Sequence, residues 1–179
     1  MKMRKFLCLL LSLLMLVSLA ACGDKDKKED SGKSAKAVAE SFMEALIDSD
    51  AKAMFDLLPD EVVDAMLEET GMTKSEWKEE LDYMSESLAE NMADMEDYYG
   101  GKIKITYEIA DEYDLDDDEL EYLQENYEEL DIKVKDAKVL EIDATMKAGD
   151  YEEDDSMELI VIKVGSNWYL DISSLEDIM

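Results

Sequence analysis

Apolar residues recur along this chain in two periods, and the switch between them divides it. From Ser34 to Tyr99 they return every three or four positions, which places them on one side of successive helices. Ser34 is placed to cap a first helix that turns Val38, Phe42, Ala45 and Leu46 inward. Asp50 caps a short second one with Met54, Leu57 and Leu58, and Pro59 ends it, because the residue before proline avoids the helical region. Asp60 opens a third, carrying Val62, Val63, Met66 and Leu67 up to Gly71. Thr73-Lys74-Ser75-Glu76 reads as a capping box. Behind it Trp77, Leu81, Met84, Leu88, Met92, Met95 and Tyr99 form one continuous stripe that ends at Gly100-Gly101. That stripe is expected to be the core face of a helix about 39 Å long, laid against a sheet.

After Gly101 the period becomes two. Ile103, Ile105, Tyr107 and Ile109 alternate with Lys102, Lys104, Thr106 and Glu108, as in a strand with one buried face. Asp116 or Asp117 caps a further helix with Leu120, Leu123, Tyr127 and Leu130 on one side. Ile132–Met146 predicts a long strand whose apolar phase shifts between Asp136 and Val139, where a bulge is expected. Met157–Val164 is apolar on both faces and so belongs in the interior of the sheet. Gly165-Ser166-Asn167 turns into a last strand, Trp168–Ile172, in which Trp168 faces the core and Tyr169 is free to line a pocket. The expected fold class is therefore α+β: N-terminal helices packed on a curved, mainly antiparallel sheet of about four strands, a cone-like roll.

The first 34 residues follow neither period. Lys2, Arg4 and Lys5 precede Phe6–Ala20, an apolar run broken only by Ser12 and Ser18, and small residues Ala20 and Ala21 follow. This is the layout of an export signal, and the run is too short for a confident membrane span of roughly 20 residues. The next residue is Cys22, and Leu19-Ala20-Ala21-Cys22 resembles the lipobox of bacterial lipoproteins. The resemblance implies cleavage before Cys22, a diacylglyceryl group on its sulfur, and a protein held at the cell membrane facing the extracytoplasmic side. Gly23–Ser34 (GDKDKKEDSGKS) is polar and mixed in charge, a flexible tether whose ends lie roughly 20 Å apart. The organisation expected is a signal peptide over 1–21, a lipidated cysteine and tether over 22–34, and one domain over 35–179.

Charge and composition narrow the functions open to that domain. Cleavage removes three of the 18 basic residues and none of the 48 acidic ones, so the mature net charge is −33. Arg4, the only arginine, leaves with the signal, and the chain has no histidine. Nucleic acid, whose phosphates need cationic neutralisation, is excluded as a partner on this balance. Catalysis through a Ser-His-Asp or Cys-His arrangement is excluded too, as is the usual zinc site. Cys8 leaves with the signal and Cys22 would be acylated, so no disulfide is available. A surface this acidic repels its own kind and stays solvated, or accepts cations or basic peptides.

The opening helix running into Leu46-Ile47-Asp48-Ser49-Asp50, the Leu57-Leu58-Pro59-Asp60 break and the closing hairpin Val161–Asp171 together resemble the nuclear-transport-factor-2-like, or cystatin-like roll, superfamily. The resemblance implies a sheet wrapped around helices, with room for a pocket at the open end of the cone. Enzymes of that superfamily with an Asp-His pair have no counterpart in a chain without histidine, while those working through Asp and Tyr remain open as an alternative.

Two acidic clusters are candidate cation sites. Asp114, Asp116, Asp118 and Glu125 occupy positions 1, 3, 5 and 12 of an EF-hand-like loop, but Glu119 stands where that loop needs glycine. An acidic helix N-terminus explains the same residues. Asp150–Asp155 (DYEEDD) reads as an acidic hairpin loop. No catalytic, cofactor-binding or metal-binding residue is assigned, and the one site residue is Cys22, for lipidation. The expected function is a non-enzymatic binding or interaction module, anchored in the membrane, for a ligand or envelope protein. A calcium-dependent surface protein is the further alternative.

Overall fold

Seven of the ten elements begin on a cap or a turn that the sequence marks. The computed structural model describes residues 33–176, so the signal, Cys22 and nearly all of the tether lie outside it. Helix α1 (Ala35–Ile47) starts on Ser34, whose hydroxyl accepts from the Ala37 amide at 3.2 Å. Helix α2 (Ala51–Phe55) starts on Asp50, which accepts from Ala53. Helix α3 (Asp60–Thr70) follows Pro59 and stops at Gly71, whose φ of 70° lies in the left-handed region that favours glycine.

Helix α4 (Lys74–Tyr99) opens on a complete capping box: Thr73 accepts from the Glu76 amide, and Glu76 accepts from the Thr73 amide at 2.8 Å. The expected cost of Thr73→Ala is about 1 kcal/mol, because one orphan donor of the first turn loses its partner. Urea denaturation reads it, and a change below about 0.3 kcal/mol would mean that Glu76 alone caps the helix.

The strands are β1 (Ile103–Asp114), β2 (Val134–Ala148), β3 (Tyr151–Val164) and β4 (Asn167–Leu170). Helix α5 (Asp117–Glu128) lies between β1 and β2, and a short α6 (Ser173–Glu176) follows β4. The sheet order is β1-β2-β3-β4, antiparallel throughout, so the expected α+β class with four strands is met.

Register and burial together assign the two faces of the sheet. Ile105, Met146, Ile142, Leu140, Leu159, Val161 and Leu170 share one face and are all buried. Helix α1 crosses this face, touching all four strands, and brings Val38, Phe42 and Met43 into the same core with no exposed surface. The interior on this side is filled by side chains. On the opposite face, Ala137, Val139 and Ile162 are buried at the end of the sheet where α5 packs on β2 and α6 on β3. That is why β3 reads as apolar on both faces, and β3 does lie inside the sheet, between β2 and β4.

Five expectations are corrected. The bulge placed at Asp136–Val139 lies earlier, between Val134 and Asp136, and a second interrupts β1 between Ile109 and Asp111. The last strand ends at Leu170, because Asp171 and Ser173 divert the chain into α6. Asp150–Asp155 is not a loop: β3 begins at Tyr151, and only Gly149 and Asp150 make the turn. A Cβ on Gly101 would come within 2.8 Å of the Gly149 nitrogen, so this tight hairpin is packed directly on the α4–β1 connection.

The fourth correction concerns α4. Most of its stripe packs against the core, as expected, but with less cover than a core face would have. Only Leu81 is buried, while Trp77, Met84, Leu88, Met92, Met95 and Tyr99 are half-buried. The helix leans on α2, where Trp77 meets Phe55 edge-on at 5.0 Å, and touches β1 only near its own end. Trp168 likewise is half-buried rather than core, with the Lys163 ammonium 5.3 Å from its ring centre.

Candidate functional site

Away from α5 and α6, the sheet face opposite α1 is polar and open. Strands β1, β2 and β3 present it row by row: Thr106–Thr145–Asp154, then Glu108–Asp143–Ser156, then Asp111–Glu141–Glu158. The first two rows line a shallow groove of about 710 Å3 around Thr106, Glu108, Asp143, Thr145, Asp154 and Ser156. Carboxylates stand directly opposite one another at Glu108/Asp143 and Asp111/Glu141, and Glu141 also faces Glu158. Like charges so placed destabilise a sheet. Hydroxyl donors offset part of this: Thr145 donates to Asp154 at 2.8 Å, and Tyr113 donates to Glu158 at 2.7 Å. That bond to Glu158 pushes the Tyr113 hydroxyl up to about 12.

The two edges of the sheet differ. At β4 the amide of Leu170 donates to the Leu57 carbonyl at 2.8 Å, and that of Trp168 donates to the Lys33 carbonyl at 3.4 Å. The chain therefore enters the domain against the β4 edge. At β1, Glu96 accepts from the Ile103 amide at 3.1 Å, and beyond it no main-chain group among the described residues pairs with the outer edge.

One buried polar node lies elsewhere. Asp171 and Tyr127 are each 4% exposed, and the Tyr127 hydroxyl donates to Asp171 Oδ1 at 2.8 Å. Asp171 Oδ2 accepts from the Ser173 amide at 3.0 Å and from its hydroxyl, while the Ile172 amide donates to the Tyr127 oxygen at 3.3 Å. Burial, and after it the Asp171 charge, raise the Tyr127 hydroxyl well above its ordinary value. The adjoining groove between α3 and α5, bordered by Val62, Met66, Leu130 and Ile172, holds only about 190 Å3. The carboxylate is committed to donors of its own chain, so the pair ties α5 to the start of α6. Sequence reading missed this pair; the signal present was Asp171-Ile172-Ser173, in which an aspartate two residues ahead of a serine marks a side-chain turn.

The EF-hand-like set does not come together as a loop. Asp114 ends β1 and reaches Lys138 at 3.7 Å. Asp116 is the N-cap of α5 and accepts from the Glu119 amide at 2.9 Å, while Glu119 accepts from the Asp116 amide. Asp118 sits in the first turn of α5 and Glu125 lies two turns further along it, exposed. The acidic residues here serve the helix N-terminus, where the macrodipole favours them. Asp150–Asp155 contributes Asp154 and Asp155 to the sheet groove, and among the described residues no cluster of three or more carboxylates is arranged to hold a metal ion. Cys22 lies outside the described residues.

Comparison with known proteins adds no relative: no protein-family model, no curated protein and no solved structure matches the chain.

Proposed function

We propose that this chain is a bacterial lipoprotein, anchored in the cell membrane through a diacylglyceryl group on Cys22 and facing the extracytoplasmic side, whose roll-like domain is a non-enzymatic binding module. The observation that carries the reading is Leu19-Ala20-Ala21-Cys22 at the end of a charged-then-apolar leader. Two further features support it. Among the described residues no helix is long and apolar enough to cross a membrane, which leaves the lipid to do the holding. The domain interior is filled by α1, so the broadest accessible feature is the open sheet face and its free edge. The chain enters at the β4 edge, so the tether leads to that side of the domain and the β1 edge lies opposite.

Mass spectrometry of the mature N-terminus tests the anchor. The expected species begins at Cys22 and carries two acyl chains through its sulfur. A mature chain with an unmodified Cys22, or one beginning at another residue, contradicts the reading.

A further inference from the structure

We propose that Met84 and Met92, on the inner stripe of α4, form an oxidant-sensitive latch: converting their thioethers to sulfoxides frees the middle of the helix while its two ends stay fixed. The inference goes beyond the proposed function and stands independently of the anchor and of any ligand.

The way α4 is held is the first argument. At its start Trp77 packs edge-on against Phe55 at 5.0 Å, and Leu81 is buried. The Ser85 hydroxyl accepts from the Ala51 amide at 3.0 Å, a bond to α2. At its far end Glu96 holds Lys102 and the Ile103 amide, and Tyr99 stacks on Tyr151 at 4.4 Å. Between Ser85 and Glu96, among the described residues, no side-chain hydrogen bond or ion pair ties the helix to another element. Leu88 and Met92 are the side chains of that stretch that pack against the core, and Met84 stands just before it.

The outer face of the helix is the second argument. Asp82, Glu86, Glu90 and Asp94 are all exposed and follow one another at intervals of four. No lysine or arginine lies between Lys78 and Lys102 to relieve them. Like charges four apart on a helix repel. Helices in proteins owe most of their stability to packing of the apolar face, and here the outer face works against the helix. The inner stripe therefore decides whether the middle of α4 stays down.

Chemistry selects the latch residues. Met43, Met54 and Met146 are 0%, 3% and 1% exposed, sealed in the core, whereas Met84 and Met92 are half-buried. A small oxidant reaches such residues, and they are packed enough for a change of polarity to matter. With hydrogen peroxide, a sulfur lone pair attacks one peroxide oxygen, the O–O bond breaks, an S–O bond forms and water leaves. Each sulfur gives up two electrons, which reduce the peroxide. A polar sulfoxide then stands where an apolar side chain packed. Met95 is half-buried as well but lies outside the core cluster, so its oxidation leaves the helix in place. Met66, Met72 and Met157, half-buried on other parts of the fold, serve as internal controls.

The test treats the full mature chain, in neutral and peroxide-free detergent, with dilute hydrogen peroxide. Peptide mass spectrometry reads which thioethers gain oxygen, and amide hydrogen exchange reads what opens. Met84 and Met92 are expected to oxidise well before Met43, Met54 and Met146. Exchange between Glu86 and Met95 is expected to rise about thirtyfold, the size of losing two half-buried methionine contacts, while β2 and β3 keep their protection. Methionine sulfoxide reductases are expected to restore the original pattern. The double variant Met84→Leu/Met92→Leu keeps volume and apolarity, and its α4 is expected to stay closed under peroxide although Met66, Met72, Met95 and Met157 still oxidise.

Oxidation of Met84 and Met92 with no change in α4 exchange overturns the latch, and so does resistance of both sulfurs equal to that of Met43. Opening of α4 in the double variant places the cause at another methionine and overturns it too. Opening that persists after the sulfoxides are reduced does the same. Loss of protection throughout the sheet would be general unfolding rather than release of one helix, and it also overturns the proposal.

Discussion

Replacing Cys22 with alanine is expected to move the chain from the membrane fraction into the medium. The variant is best expressed behind a leader that is cleaved without lipidation, so that a retained leader cannot mimic the anchor. A single acyl chain binds a bilayer only reversibly, with a constant of about 10⁴ M⁻¹, and two chains hold a protein stably. Nothing among the described residues is expected to make up that loss. Its net charge is −33 once the signal is gone, and an anionic leaflet repels it. No described helix is long and apolar enough to cross a membrane. Near-complete release is therefore expected, whereas Cys22→Ala protein that still pellets with membranes after a high-salt wash would exclude the lipid as the anchor.

A free β1 edge fits that placement. The entering chain lies at β4 and the unpaired strand on the far side of a four-stranded sheet. The mostly acidic surface keeps the domain solvated, and it favours encounter with cationic segments over anionic ones.

What could be read from the sequence followed the range of the interaction. Caps are local, and Ser34, Asp50, Thr73 and Asp116 all cap where their spacing says they should. Strand β3 was recognisable because burial on both faces leaves a continuous apolar run from Leu159 to Ile162. The α4 stripe misled because periodicity reports that one side of a helix is apolar, not what covers it. Residues such as Met92 and Met95 meet only partial cover, although most of the stripe packs against the core. Asp150–Asp155 misled in the opposite sense. The acidic run resembles a loop, yet from Tyr151 onward it is a strand whose partner, β2, supplies the apolar side. Of the candidate sites, the open acidic face depends on which strands become neighbours: Glu108, Asp143 and Asp154 are far apart in sequence and meet only through the register of the sheet. The Tyr127–Asp171 bond, spanning 44 positions, is of the same kind.

Asp171→Ala should destabilise the domain by roughly 1–3 kcal/mol, because it strands the buried Tyr127 hydroxyl and removes the acceptor of the more exposed Ser173 amide. Urea denaturation at neutral pH measures this, and a loss under about 1 kcal/mol would mean that water reaches the node. Tyr127→Phe should cost less, about 1 kcal/mol, since Asp171 keeps its Ser173 donors. Its distinctive effect appears in alkali. The unfolded tyrosine ionises near pH 10, whereas burial and the Asp171 carboxylate hold the folded one protonated to higher pH. Above about pH 10 the folded chain thus keeps a proton that the unfolded chain has lost. The stability this contributes is fully present below that pH and declines as pH rises, by up to about 1.4 kcal/mol per unit from this one group. In Tyr127→Phe that part of the decline disappears, so the stability curves of the two proteins should converge between neutral pH and pH 11. Parallel curves would show that the hydroxyl ionises as freely in the folded domain as in the unfolded chain, and that the node is open to solvent.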